Sequence, residues 1–240
     1  MKKQMLYKEL AKYYDLVYSK KDYKKEAGSL RKLIKKYKRS KGNKLLEFAC
    51  GTGGHIQYLL KYFNYTGVDL NEEMLKIAKE KVPGAVFKKG NMITAKLNTK
   101  FDVILCLFSS IGYVKTYPNL KKTLKNFYDH LNPGGIVIFE PWFMKKSFFP
   151  GSPHMDVYNG ADIKIARGST SKVKGNLSTL YMCYLVVERN KEIRYVSEKH
   201  ELGLFEPNKT LKIMKEIGFK PQRLKGTSSF QRSAYIGIKK

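Results

Sequence analysis

The stretch Lys44-Leu45-Leu46-Glu47-Phe48-Ala49-Cys50-Gly51-Thr52-Gly53-Gly54-His55 decides the fold. It opens as a short apolar run, and such a run ahead of a glycine cluster reads as a buried strand. Glycines in that position let backbone approach a ligand closely at the carboxyl end of a parallel sheet. A dinucleotide fingerprint needs a further glycine three residues after the second, where a helix start meets a pyrophosphate. Here that residue is Ile56, and no Gly-Lys-Ser/Thr of a nucleoside-triphosphate loop occurs. Asp69 ends the next apolar run, where a carboxylate can accept both hydroxyls of a ribose. A glycine loop without the pyrophosphate fingerprint, paired with a ribose-binding acid, points to an adenosine that carries no diphosphate.

Outward from this stretch the pattern alternates. Helices are expected over about 55–63, from Asn71 as cap with Glu72 and Glu73 in the first turn, and over about 119–131. Strands are expected over 65–69, 85–88, 101–107 and 135–140. Strands alternating with helices imply right-handed crossovers and a mostly parallel sheet. Before the loop, residues 7–41 are lysine-rich, with Leu30, Leu33, Ile34 and Tyr37 at helical spacing. After Pro141, residues 154–205 hold β-rich runs at 163–166, 180–187 and 193–196 without a long helix, which suggests an antiparallel insert. A helix over 207–217 stops at Gly218, and strands at 222–225 and 234–238 complete the sheet. The expectation is an α/β, Rossmann-like, mostly parallel seven-stranded sheet with helices on both faces. It forms one domain over 1–240, with a helical cap over 1–41 and an antiparallel β insert or lid over about 150–205, after strand five.

At 240 residues the chain is long enough for one well-buried core. No run approaches the roughly 20 apolar residues of a membrane span, and the N-terminus has no apolar signal-peptide core, so a cytoplasmic location without membrane partners is expected. Cys50, Cys106 and Cys183 form no Cys-x-x-Cys pair and His55, His130, His154 and His200 show no ligand spacing, so no metal is expected. His130 reads as a favourable residue at a helix C-terminus. The one extreme quantity is charge: 47 basic against 20 acidic residues gives +27, a field that attracts polyanions. Arginine, the residue of bidentate base and phosphate recognition, occurs only at positions 31, 39, 167, 189, 194, 223 and 232, and the lysines are spread along the chain.

An acid, Gly-x-Gly and a strand-ending acid, here Glu47, Gly51, Gly53 and Asp69, resemble the class I S-adenosylmethionine-dependent methyltransferases. The resemblance implies S-adenosylmethionine as cofactor and S-adenosylhomocysteine as product, with the loop on the methionine part and Asp69 on the ribose. The acid that usually faces the adenine amine is replaced in Gly90-Asn91-Met92 by Asn91, whose carbonyl can still accept a hydrogen bond. Leu107-Phe108-Ser109-Ser110-Ile111-Gly112-Tyr113 stands where base-targeting enzymes carry Asn/Asp-Pro-Pro-Tyr, and Cys106 lacks the Pro-Cys setting of a cytosine nucleophile. Phe108–Tyr113, with Tyr13-Tyr14-Asp15-Leu16-Val17-Tyr18, Lys21-Asp22-Tyr23, Pro133-Gly134-Gly135 and Glu140-Pro141-Trp142-Phe143, is similar to the N,N-dimethyltransferases of dTDP-3-amino deoxysugars of the desosamine and mycaminose type. That resemblance implies that Tyr14 and Tyr23 close over the cofactor. It further implies that Ala49, Leu70, Met74, Met92, Leu107 and Ser109 line the cofactor pocket. Tyr113 would face the acceptor amine as the catalytic tyrosine, and Tyr7, Trp142 and Arg232 would contact a nucleotide-linked small-molecule acceptor. A nucleic-acid-associated methyltransferase using the basic surface stays open as the alternative, as does monomer or homodimer.

Overall fold

The structure, a computed structural model, describes residues 2–224, 226 and 233–240. β1 (Lys2–Lys3), α1 (Tyr14–Val17) and α2 (Tyr23–Tyr37) precede β2 (Lys44–Phe48), the strand of the opening run. Alternating units follow: α3 (Ile56–Leu59), β3 (Asn64–Asp69), α4 (Glu72–Lys81), β4 (Val86–Lys89), β5 (Phe101–Cys106), α5 (Tyr117–His130) and β6 (Leu131–Phe139). The insert comprises β7 (His154–Asn159), β8 (Ile163–Lys174), β9 (Leu177–Glu188) and β10 (Arg194–Gly203). α6 (Pro207–Ile217), β11 (Phe219–Leu224) and β12 (Ala234–Lys239) end the chain.

β2 sits near the middle of a seven-stranded sheet of order β11-β12-β6-β5-β2-β3-β4. Only β12 runs against its neighbours β6 and β11. Strand order reverses between β2 and β5, so a crevice opens at their carboxyl ends. Alternate residues serve opposite faces. Leu45, Val103, Leu105, Ile136 and Ile138 pack with Leu30, Ile34, Ile56, Leu59 and Leu75 from α2, α3 and α4. Leu46, Phe48, Ile104, Cys106, Val137 and Phe139 pack with Leu120, Leu124, Phe127, Ile213 and Met214 from α5 and α6. Burial on both faces is why these strands read as continuous apolar runs.

The differences from the expected elements have local causes. Residues 7–41 are not one helix: α2 alone is long, entered at Asp22, whose Oδ1 accepts the Lys25 N–H at 2.8 Å. The chain before it makes short turns that bury Leu6, Leu10, Ala11, Tyr13 and Tyr14 against Met74 of α4 and Ile165, Tyr184 and Val186 of the insert. The helix expected over 55–63 is four residues long, and residues 60–63 form a turn that leads into β3 at Asn64. Asn71 occupies the cap position of α4 without capping it; its Nδ2 donates to Asp69 Oδ1 at 3.3 Å. In the insert, polar continuations of the expected runs extend β8 and β9 to 12 residues each and β10 to 10. These strands form an antiparallel sheet to which β1 adds a parallel edge, Lys2 opposite Glu198. α6 ends at Gly218, in the left-handed region at φ 115°. Among the described residues no helix is long and apolar enough to cross a membrane.

Candidate active site

The loop after β2 turns through left-handed backbone at Ala49, Gly51 and Gly53 (φ 55°, 56° and 76°). Gly54 follows, and a Cβ there would lie 2.5 Å from the Tyr23 ring, so glycine is what lets α2 rest on the loop. A second strained turn follows β5, with Phe108 and Ser109 at φ 51° and 62° and Lys115 at 64°. Such non-glycine conformations cost about 1 kcal/mol or more each and persist where surroundings over-determine them. Here the Phe108 N–H donates to Glu140 Oε2 at 2.9 Å, and the Ser109 hydroxyl donates to the Pro141 carbonyl at 2.9 Å.

Between the two turns lies a cavity of about 210 Å³. Its wall includes Tyr7, Tyr14, Tyr23, Glu47, Ala49, Gly51, Asp69, Leu70, Met74, Asn91, Met92, Leu107 and Tyr113, all singled out from the sequence. Two residues expected in the wall are not part of it. Ser109 turns its hydroxyl to Pro141 and leaves its place to Ser110, and Gly53 points toward Ile56 and Ala78, where it serves the turn. Trp142 also lies outside the wall; its ring packs on Phe143 and Phe148, and its Nε1 donates to Ser178 Oγ at 3.0 Å. Arg232 lies outside the described residues. The wall adds Gln4, Cys50, Thr52, His55, Asn71, Phe108 and Lys115, which were not among the expected site residues.

The cavity wall of this +27 chain carries two carboxylates, Glu47 and Asp69, beside the basic groups of His55 and Lys115. Asp69 is buried, and burial pushes its carboxyl up, against hydrogen bonds from backbone N–H groups. Oδ2 accepts from Gly51 N–H and Oδ1 from Asn71 N–H, both at 2.9 Å. Glu47 is raised by burial and receives the Tyr65 hydroxyl. His55 Nε2 lies 2.8 Å from Glu26 Oε2 and its Nδ1 3.5 Å from Glu47 Oε1. Burial alone would lower the His55 pKa, but the two carboxylates more than offset it and hold it up to about 9. His55 is therefore a cation at neutral pH, clamping α2 to the glycine loop. Thr52 Oγ1 adds a second clamp by donating to Asp15 Oδ1 at 2.7 Å.

At the far end the Tyr7 and Tyr113 hydroxyls meet at 2.8 Å, and Tyr113 Oη lies 2.6 Å from His200 Nδ1. Burial raises both tyrosines far above the ordinary phenol range, so both stay neutral. Buried thiols at Cys50 and Cys106 are pushed up likewise, which removes them as nucleophiles. His130 bridges Asn126 O (2.8 Å) and Leu97 N–H (2.9 Å) at the end of α5, a structural role.

The "Methyltransferase domain" family matches residues 45–135. A Streptomyces venezuelae dTDP-3-amino-3,4,6-trideoxy-alpha-D-glucopyranose N,N-dimethyltransferase is 33% identical over 231 residues, 95% of this chain and 97% of that protein. A Streptomyces fradiae dTDP-3-amino-3,6-dideoxy-alpha-D-glucopyranose N,N-dimethyltransferase is 34% identical over 82% of this chain and 78% of its own length. Crystallised Streptomyces venezuelae DesVI superposes with a TM-score of 0.89 at 32% identity, covering 96% of this chain and 98% of its own. The chain belongs to the amino-sugar N,N-dimethyltransferase family of class I methyltransferases.

The methyltransferase's cofactor is S-adenosylmethionine, and the cavity fits it. Asp69 Oδ2 takes one backbone N–H and keeps capacity for a ribose hydroxyl, while Oδ1 takes both the N–H and the Nδ2 of Asn71. Asp69 supplies negative potential in the cavity, while the Glu47 carboxylate is offset by the His55 cation. Asn91 Oδ1 takes the Ile93 N–H at 2.9 Å and retains a second lone pair.

Proposed function

We propose that this methyltransferase N-methylates the amine of a nucleotide-linked amino sugar, a small-molecule acceptor met in the cytoplasm. The observation that carries this reading is the extent of the likeness: 95% of this chain matches 97% of an amino-sugar N,N-dimethyltransferase. It therefore spans both the cofactor sheet and the insert that closes the acceptor end.

When bound, S-adenosylmethionine supplies a methyl group already activated on a sulfonium, so the protein's task is positioning and desolvation. In this reading the loop from Ala49 through Gly51, with Gly53 shaping its turn, holds the methionine part. Asp69 takes the ribose, and Leu70, Met74, Asn91, Met92 and Leu107 enclose the adenine end. Tyr14 and Tyr23 close the cavity from the N-terminal side. Tyr7 and Tyr113 face the acceptor amine. An amine with a pKa of about 8, like an α-amino group, is partly neutral at physiological pH and needs no strong base. Tyr113 then orients the amine, and the proton released as the N–C bond forms and the S–C bond breaks passes to water.

The test is radiolabelled methyl transfer from S-adenosylmethionine onto nucleotide-linked amino sugars, other small amines and RNA. Label on the amino sugars is the expected result. Label in RNA alone would overturn the acceptor and restore the basic surface as the determinant.

A further inference from the structure

Tyr113 has a neighbour beyond the cavity wall that the proposed reaction has not used. On β10, Glu198 and His200 stand two residues apart and so share one face of the strand. Both are buried, at 0% and 2% exposure. His200 Nε2 lies 2.8 Å from Glu198 Oε1, a close polar contact outside hydrogen-bond geometry, and among the described residues neither atom has a hydrogen-bond partner. Glu198 Oε2 is taken by the Leu6 N–H at 3.0 Å. A carboxylate oxygen can only accept, so the imidazole proton belongs on Nε2 and Nδ1 is left as an acceptor. The Tyr113 hydroxyl, 2.6 Å from Nδ1, must then donate to it. Its oxygen lone pairs are turned to Tyr7 and the cavity, where the Tyr7 hydroxyl lies at 2.8 Å.

We propose that the buried Glu198–His200 pair positions the acceptor amine by fixing the direction of this hydrogen-bond chain, so that Tyr113 presents the cavity with an acceptor oxygen. The inference rests on the N-methylation reading. A neutral primary or secondary amine donates an N–H to Tyr113 and turns its lone pair elsewhere, free to take a methyl. A neutral tertiary amine has no N–H to give and is no longer held, so the chain's direction also ends the reaction at two methyl groups. At each transfer the N–C bond forms, the S–C bond breaks, and the surplus proton leaves to water. Burial pushes the Glu198 carboxyl up, but His200, the Leu6 N–H and Tyr184 outweigh it and hold Glu198 below the usual carboxylate range, so Glu198 is an acceptor.

The groups that face the pair are Tyr7 from the N-terminal turn, Tyr113 from the turn after β5, Tyr184 from β9, and the Lys115–Glu201–Lys199 cluster alongside. Tyr14 and Tyr18 lie behind Tyr7 and Tyr113, with Arg167 on Tyr18.

The experiment is steady-state kinetics of the full chain with S-adenosylmethionine and the dTDP-linked amino sugar that the wild type methylates. Loss of one neutral hydrogen bond corresponds to about tenfold, so Glu198→Gln and His200→Ala are expected to lower kcat about tenfold with S-adenosylmethionine affinity unchanged. His200→Asn, whose carbonyl oxygen can accept in place of Nδ1, recovers most of that loss. Adding His200→Ala to Tyr113→Phe costs nothing further, since both act through one contact. Wild-type kcat in Glu198→Gln, additive losses in the double variant, or no recovery in His200→Asn would each overturn the inference while leaving N-methylation intact. A wild type that methylates no amine removes both. Calorimetric binding of S-adenosylmethionine checks that each variant is folded. Should Glu198→Gln not fold, Tyr113→Phe and His200→Asn, which leave Glu198 in place, still decide.

Discussion

At the β2–β3 end of the cavity the wall is backbone held by one carboxylate; at the Tyr113 end it is side chains held by one another. The first end comes from consecutive residues, Ala49 through Gly54, folded onto Asp69 eighteen residues after Gly51. The second gathers Tyr7 from the N-terminal turn, Tyr113 from the turn after β5, and His200 and Glu198 from β10, groups 87 to 192 residues apart where they touch across segments. A backbone cradle suits a cofactor that never changes. A side-chain cluster lets acceptor recognition vary while the sheet stays fixed, as function grafted on a common fold requires.

The sharpest way to break this comparison is at Asp69. Hydrogen bonding to an ionised group contributes about 1.5–3 kcal/mol, so Asp69→Ala is expected to weaken S-adenosylmethionine about ten- to a hundredfold, measured by titration calorimetry. An unchanged Kd would mean that the cofactor is not held from β3 at all.

The next effect concerns the clamp between α2 and the glycine loop. The His55 pKa in the folded protein, about 9, lies above its ordinary 6.5. Its stabilising contribution is therefore complete below pH 6.5 and lost as pH rises through 9. His55→Gln is expected to be less stable by on the order of 2 kcal/mol at pH 6, several degrees in melting temperature for a chain of this size. The gap between variant and wild type should close by pH 10. A gap that stays constant would show that His55 packs as a neutral ring.

Tyr113→Phe probes the acceptor end. Removing one orienting hydrogen bond is expected to lower kcat about tenfold, without change in S-adenosylmethionine affinity. A loss of about four decades, the upper range for acid–base catalysis, would replace positioning with obligatory proton transfer at Tyr113.

The same contrast governs what the sequence could disclose. Gly51, Gly53 and Asp69 are legible because backbone demands leave local marks: glycine where φ is positive, an acid where a strand ends. The parallel sheet was legible for a similar reason, since strands buried on both faces are continuous apolar runs. His55 gave no such mark, because its partner Glu26 lies 29 residues earlier on another element. Glu198 and His200 alternate with Ser197 and Lys199 as half-buried strand residues do, and nothing local tells which face is inward. Only β1 and the N-terminal turn, which bring Lys2 opposite Glu198 and Leu6 onto it, settle that. Ser109 was misplaced by one residue: the left-handed turn at Phe108 and Ser109 rotates Ser110 into the wall instead, and the sequence carries no glycine there to announce the turn.

The smallest expected effect tests whether Trp142 belongs to the acceptor end or to the joint between the two sheets. Its Nε1 donates to Ser178 Oγ at 3.0 Å, and that hydroxyl in turn donates to the Leu202 carbonyl at 3.0 Å, tying the exit of β6 to β9 and β10. Ser178 is fully buried, so Trp142→Phe leaves one lone pair of its oxygen without a donor and costs about 1 kcal/mol. Aromatic contact with Phe143 survives in the variant. The expected outcome is a melting temperature lower by a few degrees, with kcat and acceptor KM within twofold of wild type. A KM raised tenfold at unchanged stability would move Trp142 from the joint into the acceptor site, and the acceptor end would then extend from the Tyr113 cluster to the base of the insert.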